Sequence, residues 1–182
     1  MINNYFEDLY DLLKNAEMTD TIGYVKFEIG IDEIIELILS INKNKLIFIG
    51  NGGSAAIASH SATDYLKNGN VRTLCFNEAS LMSCMSNDFG YEQVFSKPIE
   101  LLAEEGDVLF AISSSGQSEN ILNACEKAKE IGCTVITLSG FNNNNPLRYL
   151  GDYNIYIDSG QYGFVELCHQ IILHMILDKM HS

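Results

Sequence analysis

Residues 46–64 read LIFIGNGGSAAIASHSATD. Four apolar residues run into Gly50. Then come Asn51, Gly52, Gly53 and Ser54, and after them an alanine-rich run carrying His60 and Asp64 four positions apart. An unbroken apolar run that stops at glycines and resumes as a small-residue segment reads as a buried strand turning straight into a helix. Glycine in such a turn lets backbone N–H groups point at an anion, and the helix start adds a favourable dipole. The segment Gly50-Asn51-Gly52-Gly53-Ser54-Ala55 also satisfies G-x-G-x-x-G/A, the dinucleotide fingerprint. Glu78, near the end of the next strand, stands where a ribose-binding acid would sit. Taken alone, the loop fits a phosphate site, a dinucleotide site or a plain tight turn.

The same alternation runs through the chain. Short β-rich apolar runs at 46–49, 73–76, 108–112, 134–138 and 155–157 predict five strands, and the stretches 54–66, 91–104 and 119–131 between them predict helices. Further helices are predicted at 5–14, 31–41 and 164–180. Continuous apolar strands separated by helices indicate a doubly wound five-stranded parallel sheet, helices on both faces, with added N- and C-terminal helices. The run 142–145 followed by Pro146 reads as a solvated turn. No linker divides the 182 residues, so 1–182 is expected to be one α/β domain.

Composition narrows the partners. A formal net charge of −13 disfavours nucleic acid and anionic membrane surfaces, which need a basic face. No apolar run reaches the roughly 18 residues of a membrane span, and MINNYFEDLYDLLK lacks the basic start of a signal peptide. Five cysteines, with no C-x-x-C pair, read as reduced core thiols of a cytoplasmic protein.

A second loop shifts the balance. The strand at 108–112 runs into Ser113-Ser114-Ser115-Gly116-Gln117-Ser118, and a helix follows. Capping alone explains one or two serines at a helix start, not four. Hydroxyls and amides in a shaped pocket hold a phosphate without a basic patch, which suits an acidic chain. A dinucleotide would not need this second loop; a phosphorylated sugar would.

Together, GNGGSA after a strand, SNDFG, ISSSGQS after a later strand and a histidine-bearing last helix resemble the sugar isomerase (SIS) domain family, and within it the bacterial phosphoheptose isomerases. The likeness covers essentially the whole chain and implies a flavodoxin-like SIS fold. It also implies interconversion of sedoheptulose 7-phosphate and D-glycero-D-manno-heptose 7-phosphate through an enediol, for heptose-containing surface polysaccharide. Asn51, Gly52, Gly53, Ser54, Asn87 and Asp88 then match substrate-binding positions, and Ser113, Ser114, Ser115 and Ser118 match those that grip the phosphate. His60, Asp64, Glu166 and His174 match positions that ring a divalent metal, usually zinc. Asp64 would be the base, His174 the acid, and Glu166 would also touch substrate. The resemblance implies a homotetramer with active sites between subunits. Apolar faces on the terminal helices (Phe6, Leu9, Leu12, Leu13; Ile171, Ile172, Met175, Ile176) agree with that assembly. Two other classes are a non-catalytic tetrameric relative that binds sugar phosphate or a protein, and a dinucleotide-dependent oxidoreductase.

Helical geometry bears on the four metal positions. His60 and Asp64 lie about 40° apart on one face, and Glu166 and His174 about 80° apart, while His169 is about 140° from His174 and faces elsewhere. Two positions depart from the family: Asp64 stands for its glutamate and Glu166 for its glutamine. The first change shortens the reach by roughly one C–C bond, about 1.5 Å. The second adds a charge. Two histidines and two carboxylates suit zinc, or a harder ion such as manganese or nickel.

Overall fold

Every residue of the runs 46–50 and 108–113 is buried, as two central strands covered on both faces require. The computed structural model describes residues 2–181. In chain order its elements are α1 (Ile2–Lys14), β1 (Glu17–Asp20), β2 (Tyr24–Val25), α2 (Phe27–Ser40), β3 (Leu46–Gly50), α3 (Gly53–Lys67), β4 (Thr73–Cys75) and α4 (Ala79–Phe89). There follow α5 (Ser96–Leu102), β5 (Val108–Ser113), α6 (Glu119–Ile131), β6 (Thr134–Ser139), β7 (Tyr153–Tyr156) and α7 (Tyr162–Lys179), with 3-10 turns at Tyr91–Gln93 and Pro146–Tyr149.

The sheet order is β2-β1-β7-β6-β5-β3-β4. Strands β4, β3, β5, β6 and β7 are parallel, whereas β1 pairs antiparallel with both β7 and β2. The expected five-stranded parallel sheet is therefore the larger part of a seven-stranded mixed one. The added hairpin turns on Asp20, whose Oδ1 accepts from the N–H groups of Ile22 and Gly23. Its strands, EMTD and YV, are short, and of their residues only Met18 is buried. They carry no alternation for a pattern to detect.

Two further expectations change. The helix expected over 91–104 is a 3-10 turn followed by α5, where Pro98 in the first turn needs no N–H partner. Helix α4 was not expected; none of its residues is buried, so it lacks a full apolar stripe. Its start is capped by Glu78, whose carboxylate accepts from Leu81 N at 2.9 Å and is held below the usual range by hydrogen bonds from the Ser80 hydroxyl and the Leu81 amide. The acid considered for a ribose is a helix cap.

Alternation along β5 builds two cores. Val108, Phe110 and Ile112 face α2, α3 and α7, joining Phe48, Ile34, Ile38, Ile172 and Ile176. Leu109 and Ala111 face α5 and α6, joining Ile47, Ile49, Ile99, Ile121 and Cys125. Phe48 and Phe110 are register partners whose rings stack at 4.9 Å, a pairing worth about 0.5–1.5 kcal/mol beyond area burial. At the other end of these strands, fully buried Asp107 accepts from Lys45 N at 2.9 Å and Glu104 N at 2.8 Å and pairs with Lys45 Nζ at 2.7 Å. Burial alone would raise this carboxyl, but the Lys45 bond and the backbone donors outweigh it and hold it below the usual range.

Taken by themselves, the parallel strands lie in the order 2-1-3-4-5. In this arrangement the chain reverses direction between the first and third strands, here β3 and β5, and ligands bind outside their carboxyl ends. Helix α3 leaves β3 toward one core and α6 leaves β5 toward the other. The two loops singled out in the sequence meet at that divergence.

Candidate active site

A cavity of about 240 Å³ opens where the loops diverge. Asn51, Gly52, Gly53 and Ser54 line one wall, Ser113, Ser114, Ser115 and Ser118 the other, and Tyr162 and Glu166 of α7 close it. The hydroxyl oxygens of Ser113 and Ser115 accept from Gly116 N and Gln117 N at 3.2 and 3.3 Å, which leaves their O–H hydrogens free to donate. Ser118 occupies the N-cap of α6, yet its side chain caps nothing. Ser114 is buried with its hydroxyl oxygen unpartnered. A buried polar atom without a partner is costly, so an orphan in a cavity wall marks a place for a ligand. No lysine or arginine lines the cavity. Its donors are neutral, and the starts of α3 and α6 favour an anion.

The second loop is braced from behind. Gly116 has φ +63°, and a Cβ there would lie 2.0 Å from Asn145 Oδ1. Asn145 is buried, and its Nδ2 faces Ser139 Oγ at 3.2 Å, Gly140 O at 3.2 Å and Asn142 O at 2.8 Å. The asparagine run read as a solvated turn therefore ends in a buried strut.

Asn51 sits at the cavity, but its side chain is engaged elsewhere. Its Nδ2 donates to Asn120 Oδ1 at 2.8 Å, and its Oδ1 accepts from Asn120 Nδ2 at 3.0 Å and from Tyr91 Oη at 2.9 Å. Nothing in the sequence singled out Asn120, Tyr91 or Tyr162. An asparagine in the first helical turn and isolated tyrosines carry no motif.

Helices α3 and α7 both return from carboxyl ends of parallel strands, so they run side by side in the same direction, packed together. The Tyr65 hydroxyl donates to Leu173 O at 2.8 Å and latches the pair one residue beyond Asp64 and one before His174. Beside the latch, His60 Nε2 lies 3.2 Å from His174 Nε2 and 3.2 Å from Asp64 Oδ2, and His174 Nδ1 lies 3.6 Å from the same oxygen. Donors on a tetrahedral ion with bonds of about 2.0–2.1 Å are about 3.4 Å apart. His60, Asp64 and His174 each offer one ligand atom, all within 4.8 Å of one another, so the cluster offers a divalent metal three protein ligands. The site is only half-buried, as one that admits substrate must be.

Glu166 does not join that cluster. Its carboxylate lies against Gly53, where a Cβ would come within 2.4 Å of it, and lines the serine-loop cavity. Eight residues of helix, about 12 Å of rise, separate it from His174. The shared face expected from the angle omitted that rise. Asn87 and Asp88, at the end of α4, are exposed and outside the cavity; Asn87 Nδ2 donates to Asp88 Oδ1 at 2.8 Å. Of the cysteines, Cys125, Cys133 and Cys168 are buried, Cys75 is half-buried and Cys84 is exposed rather than in the core. Among the described residues no helix is long and apolar enough to cross a membrane.

The SIS-domain family model matches residues 4–140. The chain belongs to the SIS-domain family. Within that family it is similar to phosphoheptose isomerases. The one from Helicobacter hepaticus is 35% identical over 147 residues, covering 78% of this chain and 74% of that protein. The solved phosphoheptose isomerase of Neisseria gonorrhoeae superimposes with a TM-score of 0.84 at 25% identity, covering 98% of this chain and 97% of its own. That of Francisella tularensis gives 0.84 at 26% identity, covering 98% and 95%. Both superpositions extend over almost the whole chain, beyond the family match.

His169, the remaining histidine of α7, lies away from the cluster. It is fully buried, with Nε2 3.1 Å from Ser139 O. Burial pushes its pKa down to about 4, so the ring is neutral and Nε2 carries the proton it donates. Its folded pKa is below the unfolded value near 6.5. The stability it contributes is therefore present above about pH 6.5 and lost as pH falls toward 4. Between pH 7 and pH 4.5 the protein should lose stability through this group, by on the order of 2 kcal/mol. Urea unfolding at both pH values should show that loss in the native protein and a smaller one in His169→Gln. Equal losses would contradict the assignment.

Proposed function

We propose that the protein is a phosphoheptose isomerase, interconverting sedoheptulose 7-phosphate and D-glycero-D-manno-heptose 7-phosphate through an enediol. The observation that carries this reading is a spacing. Glu166 marks the neutral anion cavity at the head of α7, and His174 stands about 12 Å along the same helix. Six carbon–carbon bonds advance about 1.25 Å each in an extended chain, so with the phosphate ester they cover about 10 Å, and the side chains at the two ends close the difference. With the phosphate in the serine loop, the carbonyl end of a seven-carbon chain reaches the His60, Asp64 and His174 cluster.

Asp64 acts as base. It takes the proton from the carbon beside the carbonyl, and the C–H electrons move to form the enediol while His174 donates a proton to the carbonyl oxygen. Asp64 then returns its proton to the neighbouring carbon as His174 recovers one from the other hydroxyl, so nothing is oxidised overall. His60, 3.2 Å from Asp64, holds that carboxylate in place. His60, Asp64 and His174 would hold the divalent metal, zinc by the chemistry of the set, which when bound polarises the substrate's oxygens. Glu166 lies at the phosphate end, too far along α7 for the base's role, and serves substrate binding.

The terminal helices support a homotetramer. Leu9, Leu12 and Leu13 are half-buried, and Ile172 and Ile176 are buried within the chain's own core, so these do not need a partner. Ile2, Phe6 and Tyr10 of α1 and Leu167 of α7 remain exposed. In such an assembly Asn87 and Asp88 are available to a neighbouring subunit's site. Five thiols, none in a disulfide, suit the cytoplasm.

Three measurements test this reading. Incubation with sedoheptulose 7-phosphate should give the aldose, turnover should fall on chelation, Asp64→Asn should abolish it and Glu166→Gln should be mild. A loss of about 10²–10⁴-fold in Glu166→Gln, with Asp64→Asn near normal, would move the base to Glu166. Replacing Ser115 and Ser118 together by alanine should weaken sugar-phosphate binding by about 2–3 kcal/mol, at about 1–1.5 per neutral hydrogen bond; unchanged affinity removes the serine loop from the site. Light scattering at micromolar concentration should return four times the 20.3 kDa subunit mass, and a monomer would contradict the assembly.

A further inference from the structure

We infer that Asn120 is a positioning residue that holds the two walls of the phosphate cavity at a fixed spacing, an inference that rests on the phosphosugar reading above. The two walls belong to loops that diverge. The β3–β5 ladder ends at Gly50 and Ile112. Beyond that pair, among the described residues, no backbone hydrogen bond crosses from 51–54 to 113–118. The second loop is tied by its backbone to the β6 side instead, through Gly140 N to Ser114 O at 2.9 Å and Leu147 N to Gly116 O at 3.1 Å. The first loop has no such tie. Left to itself, it could drift from the serines while both strands stayed in place.

Asn120 bridges the gap. It stands in the first turn of α6, two residues after Ser118, and is 3% exposed. Its carboxamide and that of Asn51 form a closed ring of two hydrogen bonds, 2.8 and 3.0 Å long. The Tyr91 hydroxyl donates to the same Asn51 oxygen at 2.9 Å, so both lone pairs of that oxygen are used. A planar amide held by three bonds cannot rotate without breaking at least one. Asn51 is the residue that follows β3, so the ring fixes the start of the glycine turn relative to the start of α6. Asn120 is not in the wall of the serine-loop cavity. It acts through Asn51.

The test separates positioning from mere stability. Asn120→Leu keeps the branched shape and removes both bonds of the ring; Tyr91→Phe, at a half-exposed position, removes only the third. Inorganic phosphate binding by calorimetry, KM and kcat for the sugar phosphate, and the unfolding midpoint are measured for each. Asn120→Leu should weaken phosphate and raise KM by about ten- to thirtyfold, the worth of two neutral hydrogen bonds, with kcat changed less than about threefold. Tyr91→Phe should shift both in the same direction by about a third to a half as much on a logarithmic scale. An unfolding midpoint that falls while phosphate affinity and KM stay put would make the ring purely structural and overturn the proposal. If Asn120→Leu does not fold, Tyr91→Phe decides: unchanged phosphate affinity there overturns it as well. Phosphate binding does not depend on turnover. Wild-type protein that binds phosphate but does not isomerise the heptose would refute the proposed activity and leave the clamp to be judged by the phosphate arm.

Discussion

Everything at the site follows from one adjacency. Strands β3 and β5 are hydrogen-bonded neighbours, and the helices that follow them leave toward opposite faces of the sheet. Two helix starts therefore face a common crevice with their first N–H groups lacking intrahelical acceptors. Water or an anion must satisfy them. In a chain of net charge −13 no cation stands at the crevice, and serine hydroxyls supply the remaining donors. The composition of the two loops answers this geometry. Glycine lets the backbone and Glu166 come close, serine donates without adding volume, and the buried Asn145 keeps the serine turn from relaxing backwards.

The histidine–aspartate cluster stands apart from the crevice because helices have a fixed rise. Helices α3 and α7 start at the crevice and run away from it together, latched by Tyr65 and Leu173. The Tyr65 ring packs against Phe48 at 5.4 Å, itself stacked on Phe110, so the latch is seated on the same strands that form the crevice. The separation between anion cavity and histidine–aspartate cluster is then a property of backbone geometry, about 1.5 Å per residue, and not of flexible side chains. That makes it a ruler for chain length. Under the proposed function, a site organised this way would discriminate substrates by how far their reactive carbons lie from their phosphate.

The sequence displayed most of this because the relevant signals are local. Buried strands are unbroken apolar runs, a phosphate turn must be glycine- or serine-rich, and His60 with Asp64 share a face by spacing alone. What escaped has physical reasons. The β1–β2 hairpin buries one side chain, and α4 buries none, so neither produces a periodic pattern. The resemblance groups Glu166 with His174, and the helical angle agrees with it only because an angle reports which way side chains point and is silent on how far apart they are along the axis. Asn120 and Asn145 resemble ordinary capping and turn residues. Their roles appear only when loops distant in sequence are brought together, which no local window contains.

Seen from the fold, the two departures from the family pattern do not answer one another. Asp64 is at the histidine cluster on α3 and Glu166 at the serine-loop cavity on α7, so a shortened side chain at one place is not restored by a charged one at the other. Each has to be accommodated where it stands. At the cluster, Asp64 already lies within 3.6 Å of both imidazoles, so the shorter side chain still reaches its neighbours. At the cavity, a glutamine could both donate and accept, whereas an ionised carboxylate only accepts. Phosphate oxygens are acceptors as well, and a second negative group beside them is repelled. The hydroxyls that follow the phosphate along a sugar are donors. Under the proposed function Glu166 would accept from the polyol chain where it leaves the phosphate, and the neutral serines would donate to the phosphate itself. The cavity thus has an accepting wall and a donating wall, and a phosphorylated polyol presents the complement of both.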